Sequence, residues 1–166
     1  MVEGFKMSKT ITTLELEKLL FQCEGKQKGK FSCFEVTFGD RALGGKGTER
    51  VDYVTYENLG NIFRCYEIKV SKADFMSDAK KSFVGDYNYF VMPRGLWDKL
   101  NDENNELLRA YLFSGVGVLV PNAINSKLEV VRKSKRKTIA LYDKIHMMES
   151  MMKSMSRYVK IGVADE

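Results

Sequence analysis

The chain has 166 residues, 44% of them hydrophobic and 30% charged, the balance of an ordinary folded domain rather than of a disordered or fibrous chain. A single domain over residues 1–166 is expected, since this length buries about two thirds of the unfolded surface in one core. Three cysteines without CxxC spacing and a lone histidine argue against a disulfide framework and a zinc site, while the formal charge of +5 favours a polyanionic partner only weakly.

Residues 1–9 carry no apolar leader and are read as flexible, which makes a cytoplasmic location the expectation. Residues 10–23, "TITTLELEKLLFQC", set Leu14, Leu16, Leu19 and Leu20 among acidic side chains behind N-cap hydroxyls and predict an opening helix ended by Gly25. "KFSCFEVTF", residues 30–38, alternates and is rich in aromatic and β-branched residues, so it predicts a first strand. The glycine-rich "GDRALGGKGTE" lacks the GxxxxGK[ST] spacing and leads into a strand, so it reads as a connection and not as a phosphate cradle. Residues 50–56 and 62–70 predict an antiparallel hairpin turned by "ENLGN".

Within "CYEIKV", alternation puts Phe63, Cys65, Glu67 and Lys69 on one face and Ile62, Arg64, Tyr66, Ile68 and Val70 on the other. The plain reading is a half-buried strand with a solvent-facing Glu/Lys pair. Ser71 caps a predicted helix over "KADFMSDAKKSF", closed by Gly85, in which Asp74 is the charge at the helix start. "DYNYFVMP" is the next strand, stopped by Pro93, and one helix is predicted over residues 95–111. The strand "GVGVLV" follows; it lacks the third glycine and the helix of a dinucleotide fingerprint. The longest apolar run, residues 110–120, falls short of the roughly 20 residues that cross a bilayer, so no membrane partner is expected.

Residues 127–137, "KLEVVRKSKRK", hold six basic side chains against Glu129. They read either as a strip that tracks phosphates, through Arg132, Lys133, Lys135, Arg136 and Lys137, or as an edge strand blunted by charge. A final helix over residues 138–160 carries Leu141, Ile145, Met148, Met152, Met155 and Val159 in an a/d-like stripe. The stripe is read as the core face of a terminal helix; the alternative is a docking surface for a protein partner or a second copy of the chain.

The order helix, three strands, helix, strand now carries Asp52 in "RVD", ExK in "YEIKVSKADFMSD" and the aromatic strand "DYNYFVMP". This pattern resembles the PD-(D/E)XK nuclease superfamily and, within it, the MmcB-like family of predicted DNA-repair nucleases. Val51 stands where the superfamily's name has proline. The resemblance implies an α/β (α+β) fold with a restriction-endonuclease-like αβββαβ core, its mixed central sheet flanked by helices, followed here by a C-terminal strand pair and helix. It implies hydrolysis of DNA phosphodiesters with Mg or Mn, with Asp52, Glu67 and Lys69 catalytic. The metal would be held by Asp52, Glu67 and the backbone carbonyl of Ile68, with Glu17 on the first helix as a further carboxylate. Lys80 and Lys81 would join the basic strip on DNA. The chemistry fits the spacing: a hard cation needs converging oxygens, and Lys69, two residues beyond Glu67, returns to the same face. A metal that activates water leaves no need for a catalytic histidine. The alternative is a catalytically silent module of the same fold that binds nucleic acid or a protein partner.

Overall fold

A computed structural model describes residues 11–39, 47–77 and 83–164. Helix α1 (Ile11–Leu20) runs into a π-helical turn (Phe21–Gly25) and on to strand β1 (Lys30–Phe38). Strands β2 (Glu49–Glu57) and β3 (Ile62–Ile68) follow, then the short helix α2 (Lys72–Met76) and strand β4 (Tyr87–Val91). Helices α3 (Arg94–Asp102) and α4 (Glu106–Phe113), strands β5 (Gly117–Pro121) and β6 (Leu128–Arg132), and helix α5 (Leu141–Ala164) complete the chain. The segment 1–9 and the residues Asp78, Lys80 and Lys81 lie outside the described residues.

All six strands form one mixed sheet in chain order, β1 to β6. β1, β2 and β3 pair antiparallel, β3–β4 and β4–β5 pair parallel, and β6 returns antiparallel on β5. The fold is therefore α+β, a mixed sheet flanked by helices and ending in a strand pair and a helix.

Side-chain alternation divides the core. On one face, Leu16 and Leu20 of α1 pack on Tyr53, Tyr66, Ile68, Val91 and Leu119. Tyr66 stands between Tyr53 and Tyr89, each pair of rings 5.8 Å apart. On the other face, Met147 and Met151 of α5 pack on Val54, Phe63 and Cys65. There too, Phe75 of α2, Leu96 and Leu100 of α3 and Leu108 of α4 pack on Phe90, Val118 and Val120. Trp97 rests against this last cluster as a partly buried packing residue.

Four sequence expectations change. The single helix over residues 95–111 is two helices, because Asn104 adopts a left-handed φ of 49° and Asn105 caps α4 by accepting the Leu108 N–H at 3.0 Å. Helix α2 stops at Met76, where the Ser77 N–H and hydroxyl both turn back to the Asp74 carbonyl. Gly85 therefore does not close that helix; it lies buried against Cys65 and Phe63 in the approach to β4.

The final helix begins at Leu141 and presents a different face from the predicted one. Met147, Met151 and Ser154 are buried, whereas Leu141 (65% exposed), Ile145 (49%), Met152 (64%), Met155 (41%) and Val159 (66%) face outward. Of the predicted core stripe only Met148 packs against the sheet, and only in part. The reason is a polar residue at a core position: Lys144 is buried because Asp86 receives it. The core face is thereby rotated by about one residue, ~100° around the helix.

Candidate functional site

Asp52 on β2 and Glu67 on β3 come from one hairpin. Tyr53 pairs with Tyr66 in that ladder, so the next step places Asp52 opposite Glu67. Directly opposite side chains in an antiparallel pair have Cβ atoms about 4.5–5.5 Å apart. Glu67 also pairs with Phe90, and Phe90 with Val118, which sets it beside the α2–α4 cluster. Glu67 is 3% exposed and Lys69 7%, so the reading of a solvent-facing Glu/Lys pair is wrong. Both faces of this part of the sheet are covered by helices, and the pair is buried with it.

Backbone groups fix the strand end. The Ile68 N–H donates to Asp52 Oδ2 at 2.7 Å, and the Lys69 N–H donates to the Val91 carbonyl at 3.0 Å. Lys69 thus extends the parallel β3–β4 pairing past the end of the ladder. Its Nζ lies 3.6 Å from Asp74 Oδ1 on α2. Asp74 is read from the sequence as a helix-start charge, with metal chemistry as the lesser alternative; its pairing with Lys69 is not foreseen there.

Burial pushes the Asp52 carboxyl above the usual carboxylate range; the Ile68 N–H, the Lys69 ammonium and a hydrogen bond with Glu67 oppose this, and the Asp74 charge adds to it. Tyr111 of α4 feels the same site: burial and then the Glu67 charge push its hydroxyl upward.

The fit to a divalent cation rests on this pair. Mg²⁺ is commonly held by one or two carboxylates with waters and substrate oxygens completing its shell, and Asp52 and Glu67, opposite each other in the hairpin, offer such a pair. Among the described residues, no group of three or more His, Cys, Asp or Glu side chains converges as a metal site. Glu17 is not a third ligand in this arrangement: it lines a groove with Phe21, Cys33, Phe34, Met155 and Tyr158 and is absent from the groups acting on Asp52. Glu35, across β2 from Asp52 in register, has a left-handed φ of 52° that interrupts the β1–β2 pairing in that row.

The basic strip lies elsewhere. The Lys135 N–H donates to the Gly115 carbonyl at 2.8 Å and the Lys137 N–H to the Asp86 carbonyl at 2.8 Å, while Asp86 Oδ2 accepts the Phe63 N–H. These contacts are at the Phe63 end of β3, about 13 Å along the strand from Glu67 at ~3.3 Å per residue. Arg132, Lys133 and Lys135 border a groove of about 400 Å³ floored by Leu112 and Val131, and Arg136 is exposed beside them. Lys80 and Lys81 fall outside the described residues.

The remaining singled-out residues are structural. All three cysteines are free thiols. His146 Nδ1 lies 3.0 Å from Glu149 Oε2, and its ring meets Tyr142 edge-on. No helix among the described residues is long and apolar enough to cross a membrane.

No family model matches the chain, and no curated protein matches it. Among solved structures, a protein of unknown function from Silicibacter pomeroyi is similar, with a TM-score of 0.64 and 19% identity over 92% of each chain. That likeness shows a shared fold.

Proposed function

We propose that the chain is a divalent-metal-dependent nuclease that hydrolyses DNA phosphodiesters, in keeping with its resemblance to PD-(D/E)XK enzymes. The observation that carries the reading is the meeting of half-buried Asp52 with buried Glu67 and Lys69 on the same sheet face. Withdrawing two acids and a base from water together costs stability, and such clusters gather where chemistry needs them.

Asp52, Glu67 and the Ile68 carbonyl would hold Mg²⁺ or Mn²⁺. The bound cation supplies an acidified water and charge neutralisation at the phosphoryl oxygens. Asp52 Oδ2 is tethered by the Ile68 N–H, which fixes the direction of Oδ1. Lys69 donates hydrogen bonds to the attacking water or to a nonbridging phosphate oxygen, stabilising the charge that grows there. Arg132 stands on the edge strand β6 in the same row as Glu67, and Lys135 and Lys137 lie toward the Phe63 end of β3; on this reading the strip holds duplex or tail beside the scissile bond.

The test is cleavage of labelled linear, single-stranded and branched DNA with Mg²⁺ or Mn²⁺. Wild type is expected to cut, and Glu67→Ala and Lys69→Ala to lose at least about 100-fold in rate, as when a single preorganised transition-state contact is removed. Equal cutting by wild type and both variants would reject the assignment.

The outward stripe of α5 favours a second reading, compatible with the first, in which the helix docks a second copy of the chain. Sedimentation of wild type and of a Met152→Glu, Val159→Glu double variant tests it; a monomeric wild type rejects it.

A further inference from the structure

Asp74 joins the strand end to the helix that follows it. Its Oδ2 accepts the Val70 N–H at 3.1 Å, its own N–H donates to Ser71 Oγ at 3.1 Å, and its Oδ1 faces Lys69 Nζ at 3.6 Å. The first contact orients the carboxylate, which turns Oδ1 toward Lys69.

Lys69 needs such a charge. Its side chain is only 9% exposed, and a buried ammonium persists only when paired. Asp52 also attracts it, but Asp52 Oδ2 is taken by the Ile68 N–H at 2.7 Å, whereas Asp74 Oδ1 faces the ammonium directly. The separation at Asp74 also matters. A charge-assisted hydrogen bond would be about 2.7–2.9 Å, so at 3.6 Å Asp74 draws the ammonium toward it without using one of its N–H donors. All three donors are left for water and phosphate oxygen.

We infer that Asp74 is a positioning residue: it sets where the Lys69 ammonium stands, through charge, in addition to capping α2. As a statement about catalysis this rests on the nuclease reading above; as a statement about Lys69 it does not.

Two substitutions separate the roles. Asp74→Asn keeps an oxygen for the Val70 N–H and removes the charge facing Lys69. Ser71→Ala removes the cap hydroxyl and leaves that charge in place. The full-length protein is used for two measurements, kcat and KM for Mg²⁺-dependent cleavage of labelled DNA and the ¹⁵N order parameter of Lys69 Nζ at low temperature.

Asp74→Asn is expected to lower kcat about 10–100-fold, the usual effect of removing a supporting partner, with KM near wild type, a lower Tm and a more mobile Lys69 ammonium. Ser71→Ala is expected to lower Tm with kcat and the Lys69 signal unchanged. Wild-type kcat in Asp74→Asn, or an equal loss of kcat in both variants, overturns the inference. If wild type cuts no substrate, the nuclease reading fails by itself and the spectroscopic arm decides: a Lys69 ammonium ordered alike in wild type and Asp74→Asn overturns the positioning role, and one that loosens only in Asp74→Asn upholds it.

Discussion

Lys144 of α5 reaches Asp86, just ahead of β4, at 2.9 Å, and both side chains are buried. The same ammonium donates to the Asn61 carbonyl, and the other Asp86 oxygen accepts the Phe63 N–H at 2.8 Å. One ion pair therefore ties the last helix to the β2–β3 turn and the start of β3. Lys144→Met should cost about 3–5 kcal/mol in urea unfolding, because it strands a buried carboxylate, and adding Asp86→Asn should recover part of the loss. Cleavage per folded molecule should not change, since the pair lies at the opposite end of β3 from Glu67.

Asp52 predicts a trade between stability and activity. Its folded pKa is raised, so the fold favours the protonated acid. The stability this contributes is fully present below the unfolded value of about 3.9 and is lost as pH rises through the folded value. Asp52→Asn should therefore be more stable than wild type at pH 7, by about 0.5–2 kcal/mol, with the difference closing near pH 4. Thermal melts across that range check the sign. Added Mg²⁺ should raise the Tm of wild type and leave Asp52→Asn unmoved.

Gly85 has no room for a side chain. A Cβ there would stand 2.8 Å from the Tyr87 carbonyl oxygen and 3.0 Å from both the Cys65 nitrogen and the Phe63 oxygen, all backbone atoms. Gly85 also exchanges two hydrogen bonds with the Asn88 side chain. Gly85→Ala should destabilise by about 1–3 kcal/mol in denaturant melts, as overpacking does.

The two sides of α5 should respond in opposite ways. Met147→Ala opens the core and should cost about 2–5 kcal/mol, whereas Met152→Ala should stay within about 0.5 kcal/mol of wild type. Equal losses at both positions in urea melts would mean that the helix is rotated from its described face.

What the sequence made legible follows from how local each feature is. β1 spans the residues that its alternation predicts, and the β2–β3 hairpin follows from its turn residues, so Asp52 and Glu67 were recognisable as neighbours. The break between α3 and α4 was present in "NDENN", but helical periodicity on either side masked the left-handed tendency of Asn104. The α5 face was not legible, because the burial of Lys144 depends on Asp86, far away in the chain. The positions of Glu17 and of the Arg132–Lys137 strip were not legible for the same reason. Their distance from Asp52 is set by how α1 rotates on the sheet and by the route the chain takes past Gly115 and Asp86.

Strands adjacent in the sheet are also successive in the chain. Neighbours of this kind close short loops at low entropic cost, and an isolated hairpin forms in about 1–10 μs. The two acids of the proposed centre are thus driven together among the first events of folding, long before α5 arrives to bury the surrounding sheet. On the proposed reading, a divalent cation held by the pair should favour its formation, so stopped-flow refolding of wild type should quicken with Mg²⁺ while that of Asp52→Asn should not. The ion would then serve the growing chain as a folding aid before it serves the finished protein as a cofactor.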